Sequence, residues 1–320
     1  MITYNHAPYI ANAIECVLAQ EISFPLELVI GEDCSTDGTR DIVFEYAASF
    51  PDTIRVVTSD TNVGIRANSW RTFGTLCGKY VALCEGDDFW HRQDKLETQI
   101  RFLEQHPGYG LVCSDCDYLN ALTGEVQQNH FAARGIVTTH PTMEQILVGK
   151  GGILTCTVVA RRALVAEIVR DDPYLYRDGP FLMGDTQLWA ELSSRSRIYR
   201  MTESLATRNL LPESCTRSRD RRRELRFWMS NSEMCLYLCQ KHRLPASVSD
   251  LHSRLLRRKT LQLAYLERDP EMARNIADRC AGLCAKDYVW YLAARYGVVR
   301  LIVAFVLRIS RRVGWNIPTA

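Results

Sequence analysis

Acidic and polar side chains occur at three places in the first hundred residues, each where an apolar run ends: Thr3-Tyr4-Asn5, Glu32-Asp33 and Glu85-Gly86-Asp87-Asp88. Carboxylates repel phosphate groups unless a divalent cation lies between them, and Mg²⁺ and Mn²⁺ are held by one or two carboxylates together with diphosphate oxygens and water. The spacing is typical of a metal–diphosphate site, with Asp87 as a ligand and Asp33 as an acceptor for a nucleobase N–H. The alternative is that these carboxylates cap helices or face water.

The elements that must position these residues follow from the hydrophobic pattern, which alternates short apolar runs with amphipathic stretches and indicates a sheet with helices on its faces. We expect strands at residues 1–4, 26–30, 54–58, 80–84 and 110–118, with helices at 9–19, 38–50, 64–77 and 95–106. Ligands of an open parallel sheet bind beyond the carboxyl ends of its strands. The three polar segments should therefore meet at one edge. The first strand is short, and we expect its natural start to lie upstream.

Composition indicates an ordinary globular protein of 320 residues, 47% of them hydrophobic and 24% charged, with a net charge of +2. Residues 1–100 carry 7 Lys and Arg against 15 Asp and Glu (net −8), which leaves 32 against 22 (net +10) for the remainder. An acidic half that accepts an anionic ligand needs a divalent cation, whereas a basic half favours phosphates, anionic glycans or a membrane surface.

Missing motifs argue against several enzyme classes. No Gly-x-Gly-x-x-Gly follows the first strand and no Gly-x4-Gly-Lys-Ser/Thr occurs, so a dinucleotide oxidoreductase or a P-loop NTPase is not expected. Hydrolase signatures are missing as well. The 12 cysteines are scattered, and Cys113-x-x-Cys116 lacks a second pair at zinc-finger spacing, so we expect reduced structural thiols. The N-terminus lacks a secretory signal pattern, which predicts a cytoplasmic location.

Four motifs taken in order closely resemble those of family 2 glycosyltransferases: Thr3-Tyr4-Asn5, the run from Glu32 to Thr39, Asn62-Val63-Gly64, and the run from Glu85 to Trp90. The resemblance covers residues 1–215 and implies the GT-A fold, an α/β, Rossmann-like, mostly parallel sheet with helices on both faces. It divides that domain into a nucleotide-sugar donor half at 1–120 and an acceptor half at 121–215. A helical C-terminal region at 216–320 would follow.

The resemblance implies a donor-binding role for several residues. Thr3 and Tyr4 would line the base of a UDP-type nucleotide, and Asp33 would hydrogen-bond its ring. Asn68 would lie near the diphosphate or ribose, and Arg208 would reach the leaving diphosphate, with an ordinary surface arginine as the alternative.

The family's Asp-x-Asp element is matched with one departure. Asp87 corresponds to its second acid and would hold Mg²⁺ or Mn²⁺, with Asp88 beside it. Glu85 stands in the place of the first acid with a side chain one methylene longer, and would contact the ribose or the metal.

The family inverts the anomeric centre, which implies a single displacement and a carboxylate that takes the acceptor's proton. Asp185, in Met183-Gly184-Asp185-Thr186, falls at the place of the base motif, although Gly184 replaces the usual Glu. Asp185 could instead be only a helix N-cap. Trp189 is either a stacking surface for an acceptor sugar or a core residue, the commoner case at helical spacing with leucines.

The last 33 residues, 288–320, contain no acidic residue, and their arginines fall on one helical arc opposite Val299, Ile302, Val303 and Val306. This pattern predicts a basic amphipathic helix whose charge-free core, 301–307, is too short to span a bilayer. Its apolar face would pack on the catalytic domain or on a second subunit of a homo-oligomer. The alternative is peripheral contact of residues 288–312 with the inner face of the cell membrane.

Together these features predict a metal-dependent inverting glycosyltransferase of the hexosyltransferase type. It would move a sugar from a nucleotide-sugar donor to a glycan or lipid-linked saccharide acceptor in surface polysaccharide biosynthesis, with no nucleic-acid partner. The alternatives are a non-catalytic sugar-nucleotide-binding or scaffold protein, and a sugar-phosphate nucleotidyltransferase, whose Gly-rich basic loop after the first strand is missing here.

Overall fold

The computed structural model describes residues 1–212, 220–278 and 282–313, with side chains up to residue 306. The chain divides into two compact units. The first contains residues 1–179 and 184–212, and the second contains residues 180–183 together with the helices after residue 220. The side chains of Arg308, Arg311 and Arg312, which we predicted on a basic helix face, lie outside the described residues.

The first unit opens with a parallel sheet of three strands in the order β1-β2-β3. Its elements are β1 (Ile2–Thr3), α1 (Ile10–Leu18), β2 (Leu28–Glu32), α2 (Thr39–Ser49) and β3 (Ile54–Val57). Strand β2 is buried along its whole length, as expected for the centre of a parallel sheet. Helix α1 buries one side, formed by Ile10, Ala13, Ile14 and Val17, at the spacing of a single helical face.

A second, mixed sheet completes the unit. The elements up to its long fifth strand are α3 (Ile65–Phe73), β4 (Tyr80–Ala82), α4 (Lys95–Gln105) and β5 (Tyr109–Asn120). They are followed by β6 (Val126–Gln127), α5 (His130–Ala133), α6 (Met143–Leu147), β7 (Val159–Arg161), α7 (Arg162–Asp171), α8 (Thr186–Arg195) and β8 (Arg197–Leu210). The strand order is β4-β7-β5-β6, and β8 runs parallel to β5.

The α/β architecture is confirmed, with two local differences. The sheet predicted to be mostly parallel is parallel in its first three strands, while β7 lies antiparallel between β4 and β5. Residues 154–160, whose apolar sequence is typical of a strand, begin instead with a 3₁₀ turn, Thr155–Thr157. The Thr157 N–H and hydroxyl both donate to the Leu154 carbonyl oxygen (3.0 and 2.7 Å) and stabilise this turn.

The core of this unit contains thiols and aromatic side chains as well as aliphatic ones. Cys113 and Cys116 are fully buried, and both are free thiols. Trp189 is only 2% exposed, which makes it a core residue rather than a stacking surface for a sugar.

The second unit is helical, as predicted for the C-terminal region. Its helices are α9 (Arg221–His242), α10 (Ala246–Glu267), α11 (Pro270–Asp278), α12 (Ala285–Arg295) and α13 (Gly297–Val313). Asp287 of α12 is fully buried and pairs with Arg257 Nη2 (2.8 Å) and Arg258 Nε (3.0 Å) of α10. These buried ion pairs hold α10 and α12 together. None of the helices in the described ranges combines the length and apolar character needed to cross a membrane.

Candidate functional site

The polar segments after β1 and β2 are joined by hydrogen bonds. Asn5 adopts a left-handed backbone conformation (φ 55°), in which its Oδ1 accepts from the Thr36 N–H (2.9 Å) and its own N–H donates to Ser35 Oγ (3.0 Å). Thr3 is buried, while Tyr4 is exposed beside it. The end of β1 therefore carries an exposed aromatic side chain next to two loops that are hydrogen-bonded to each other.

Asp33 holds a third loop in place. Its carboxylate oxygens accept from the Val63 and Gly64 N–H groups, both at 2.9 Å, and Arg71 Nη2 lies 3.5 Å from Oδ1. The Asn62-Val63-Gly64 motif is thus drawn to the end of β2. Asp33 is buried, so a contact with a base would use lone pairs that the loop amides leave free.

Asn68 is 2% exposed, with both ends of its amide engaged. Its Nδ2 donates to the Gly31 carbonyl oxygen (2.8 Å), and its Oδ1 accepts from Arg71 Nε (2.9 Å). A direct contact with the donor would have to replace one of these bonds. Arg71, which sequence reasoning missed, is more exposed than Asn68 and joins Asn68 to Asp33. The signal was its place three residues after Asn68 on one helix face.

The loop that follows β4 contains the three acids of residues 85–88 and is called the carboxylate loop below. It passes very close to β1. The Gly86 N–H donates to the Ile2 carbonyl oxygen (2.9 Å), and a Cβ at Gly86 would lie 2.6 Å from Thr3 Oγ1. Glycine is therefore required between Glu85 and Asp87. Asp88 is fixed from β8, since its Oδ1 accepts from the Asn209 N–H (2.9 Å) while Asn209 Nδ2 donates to the Asp87 carbonyl oxygen (2.5 Å).

Two carboxyl groups of this loop are strongly perturbed. Burial raises the pKa of Glu85 to about 8, with repulsion from Asp88, Asp87 and Asp185 adding to the effect. Burial and the neighbouring Asp87 raise the pKa of Asp88 to about 7. Glu85 Oε2 is buried and accepts no hydrogen bond from any residue in the described part of the chain. A bound cation would reduce the repulsion among these carboxylates, and a cation or a ligand hydroxyl could pair with the Glu85 oxygen that accepts no hydrogen bond.

Asp87 points to the open side of the loop, with its side chain 20% exposed and His6 Nε2 4.0 Å from Oδ2. His6, a second residue that sequence reasoning missed, also contacts Thr3 Oγ1 through Nδ1 (3.3 Å). The described residues contain no preformed group of three His, Cys, Asp or Glu around a metal position. Carboxylate oxygens are suitable ligands for a hard divalent cation, and substrate and water would have to supply the remaining ligands.

Asp185 belongs to the same acidic surroundings, since its charge contributes to the raised pKa of Glu85. It is also the N-cap of α8: Oδ1 accepts from the Thr186 N–H (2.6 Å), and Oδ2 accepts from the Thr155 hydroxyl (3.1 Å). The capping and catalytic interpretations are therefore compatible. The Thr155 hydroxyl orients the carboxylate of Asp185.

Arg208 lies on β8 with its guanidinium 5.7 Å from the ring of Tyr118. Burial acts to lower the pKa of Arg208, but Tyr118 and Asp88 hold that pKa above its usual value. A permanent positive charge thus stands behind the carboxylate loop. The structure brings Arg208, Glu85, Asp88 and Asp185 into one electrostatic neighbourhood.

Similarity to known proteins identifies the family to which the protein belongs. The sequence profile of Glycosyl transferase family 2 matches residues 1–168, more than half of the chain, and the chain belongs to this family. Its fold is the GT-A fold. The crystal structure of S. aureus TarS 1–349 in complex with UDP-GlcNAc superposes with a TM-score of 0.56 at 17% identity, covering 92% of this chain and 77% of that one.

Similarity to relatives by sequence extends over shorter parts of the chain. An uncharacterized protein of Mycobacterium tuberculosis is 42% identical over 106 residues, which is 33% of this chain and only 31% of that protein. The putative teichuronic acid biosynthesis glycosyltransferase TuaG of Bacillus subtilis is 37% identical over 120 residues, 35% of this chain and 46% of TuaG. The chain is therefore related to glycosyltransferases of cell-surface polysaccharides, and it matches less than half the length of either relative.

Proposed function

We propose that the protein is an inverting glycosyltransferase that uses a UDP-sugar with Mg²⁺ or Mn²⁺ and acts in surface polysaccharide biosynthesis. The observation that carries this proposal is the crowding of Glu85, Asp87, Asp88 and Asp185, with Glu85 Oε2 left without a partner among the described residues. Burying acids within electrostatic reach of one another is unfavourable unless a ligand compensates their charge, which favours a cation-binding site.

The donor would bind across the end of the first sheet. Tyr4 would stack on the base, and Asp33 would accept its ring N–H. Asp87, with Glu85 and Asp88 beside it, would hold the divalent cation, which neutralises the charge that grows on a leaving diphosphate. The permanent charge of Arg208 supports departure of the diphosphate from the same side.

The acceptor hydroxyl would attack the anomeric carbon from the face opposite to the diphosphate. Asp185 would take the proton of that hydroxyl, because the Thr155 hydroxyl and the Thr186 N–H hold its carboxylate in a fixed direction. The new glycosidic bond forms as the bond to the diphosphate breaks. The product is inverted at that carbon, and the nucleoside diphosphate is released.

The acceptor class is proposed from the relatives and from charge. TuaG is named for teichuronic acid biosynthesis, which favours a glycan as the acceptor. Residues 101–320 carry a net charge of +10, obtained from 32 basic and 22 acidic residues, which suits a glycan or lipid-linked saccharide that bears phosphate or carboxylate.

The test is a panel of nucleotide sugars with Mn²⁺, in which release of nucleoside diphosphate is followed by mass spectrometry. One donor should be consumed, and Asp185→Asn should slow the reaction by about 10²–10⁴-fold, the usual contribution of a general base. Binding of UDP should be unchanged in that variant. If no donor is consumed while UDP still binds, the protein is a sugar-nucleotide-binding protein without catalysis.

A further inference from the structure

Helix α13 carries an exposed apolar stripe. Val298, Leu301, Ile302, Phe305 and Val306 are each between 45% and 72% exposed. Their spacing of three or four residues places them on one side of the helix. Five large apolar side chains in contact with water along two turns are unfavourable unless something else covers them.

The opposite side of the same helix is attached to its neighbour. Arg300 turns back and donates to the carbonyl oxygens of Ala293 (3.2 Å) and Ala294 (2.7 Å) at the end of α12. Val299 and Val303 are half-buried. The exposed stripe is therefore rotated from the apolar face predicted by the sequence, with which it shares Ile302 and Val306, and α12 fixes its direction.

The segment of the sequence that contains the stripe carries charge of a single sign. Residues 288–320 contain Arg295, Arg300, Arg308, Arg311 and Arg312 and no Asp or Glu. Three of these arginines belong to the last two turns of α13, directly after the apolar stripe. A partner that meets this segment should be apolar along its centre and negatively charged at its surface.

We propose that α13 docks in the plane of an anionic phospholipid surface. The stripe enters the boundary between head groups and acyl chains, while the arginines contact the lipid phosphates. Long arginine side chains can bury their methylene stems and keep the guanidinium at the head groups. The helix has 17 residues and basic ends, so it lies on the bilayer and does not cross it.

The experiment is sedimentation of the full chain with lipid vesicles. Protein should sediment with vesicles of phosphatidylcholine and phosphatidylglycerol, and much less with phosphatidylcholine alone. Leu301→Gln with Phe305→Gln should lower the partition coefficient at least about tenfold, since each buried apolar side chain contributes about that factor. Arg308→Gln, Arg311→Gln and Arg312→Gln together should also lower it about tenfold or more on the anionic vesicles, and high salt should reduce the effect.

A matched control comes from the first unit. Leu122 and Val137 are 76% and 70% exposed, and Leu122→Gln with Val137→Gln should leave sedimentation unchanged. Circular dichroism and UDP binding report folding of every variant without relying on transferase activity. Sedimentation that is absent, or equal in the Leu301/Phe305 variant, overturns the proposal. If that variant instead converts a dimer to a monomer in the absence of lipid, the stripe is an interface between two copies of the chain.

Discussion

The acidic side chains of the carboxylate loop repel one another in the folded protein. Glu85 and Asp88 have raised pKa values because water is excluded from them and other acids stand close by. Ionising both groups is unfavourable until a positive charge arrives between them. Asp87, on the open side, is the residue that such a cation would meet first.

Replacing Asp87 by Asn tests this directly. The amide keeps the shape of the side chain but loses its charge, so Mn²⁺-dependent binding of UDP should weaken at least about tenfold, the scale on which metal sites respond to losing one supporting group. Isothermal titration with UDP, in Mn²⁺ and in chelator, gives the two affinities. Asp52→Asn, at an exposed position, is the matched control. An unchanged ratio of the two affinities would show that Asp87 holds no metal.

At the scale of elements, the loop after β4 depends on a glycine. Gly86→Ala would place a methyl group 2.6 Å from Thr3 Oγ1 and 2.7 Å from Thr3 Cβ, so β1 and the loop must separate. We expect a loss of about 1–3 kcal/mol in the free energy of unfolding, as for other overpacked sites. Gly184→Ala meets nothing within 4 Å and should be neutral. Thermal unfolding of both variants decides the matter, and equal melting temperatures would contradict the close packing.

Helix α4 begins with a buried lysine, Lys95, which contacts an amide and an aromatic ring. Lys95 Nζ donates to Gln99 Oε1 (2.7 Å) and lies 4.3 Å from the centre of the Trp90 ring. Burial lowers the pKa of Lys95 to about 8. The unfolded chain therefore holds this proton more tightly than the folded one.

A pH dependence follows. Because the unfolded state binds the Lys95 proton between the folded and unfolded pKa values, Lys95 should contribute a rise of about 3 kcal/mol to the free energy of unfolding as pH increases from about 8 to about 10.4. Lys95→Met should remove this rise and be the more stable protein below pH 8. Urea unfolding of both proteins across this range measures it. A parallel pH profile for the two proteins would show that Lys95 keeps its usual pKa.

On the scale of the whole molecule, the charge is distributed unevenly along the chain. The acidic first hundred residues, at −8, contain most of the proposed donor site, so UDP alone should bind poorly. With Mn²⁺ in excess, UDP at about 100 times its dissociation constant should stabilise the fold by about 2.7 kcal/mol. Differential scanning fluorimetry with UDP, Mn²⁺ and both ligands should show a clear shift only for the pair. An equal shift with UDP in chelator would argue for a metal-independent transferase.

The sequence by itself determined the family, the α/β architecture and the acids to examine, because these depend on residue types at fixed spacing along the chain. It determined less about which polar groups face the ligand. Asn68 was predicted near the donor, yet the structure engages its amide with Gly31 and Arg71. Glu32 likewise ends β2 fully buried, with its carboxylate accepting from the Ser35 N–H and the Thr58 hydroxyl.

Only the tertiary structure decided these matters, since burial and hydrogen-bond partners come from segments far apart in the sequence. It placed Asp185 within electrostatic reach of Glu85, a hundred residues earlier in the chain. It also placed Trp189 in the core, and on α13 it left Ile302 and Val306 of the predicted apolar face exposed while Val299 and Val303 are half-buried. Periodicity defines the faces of a helix, but the neighbouring elements determine which face they cover.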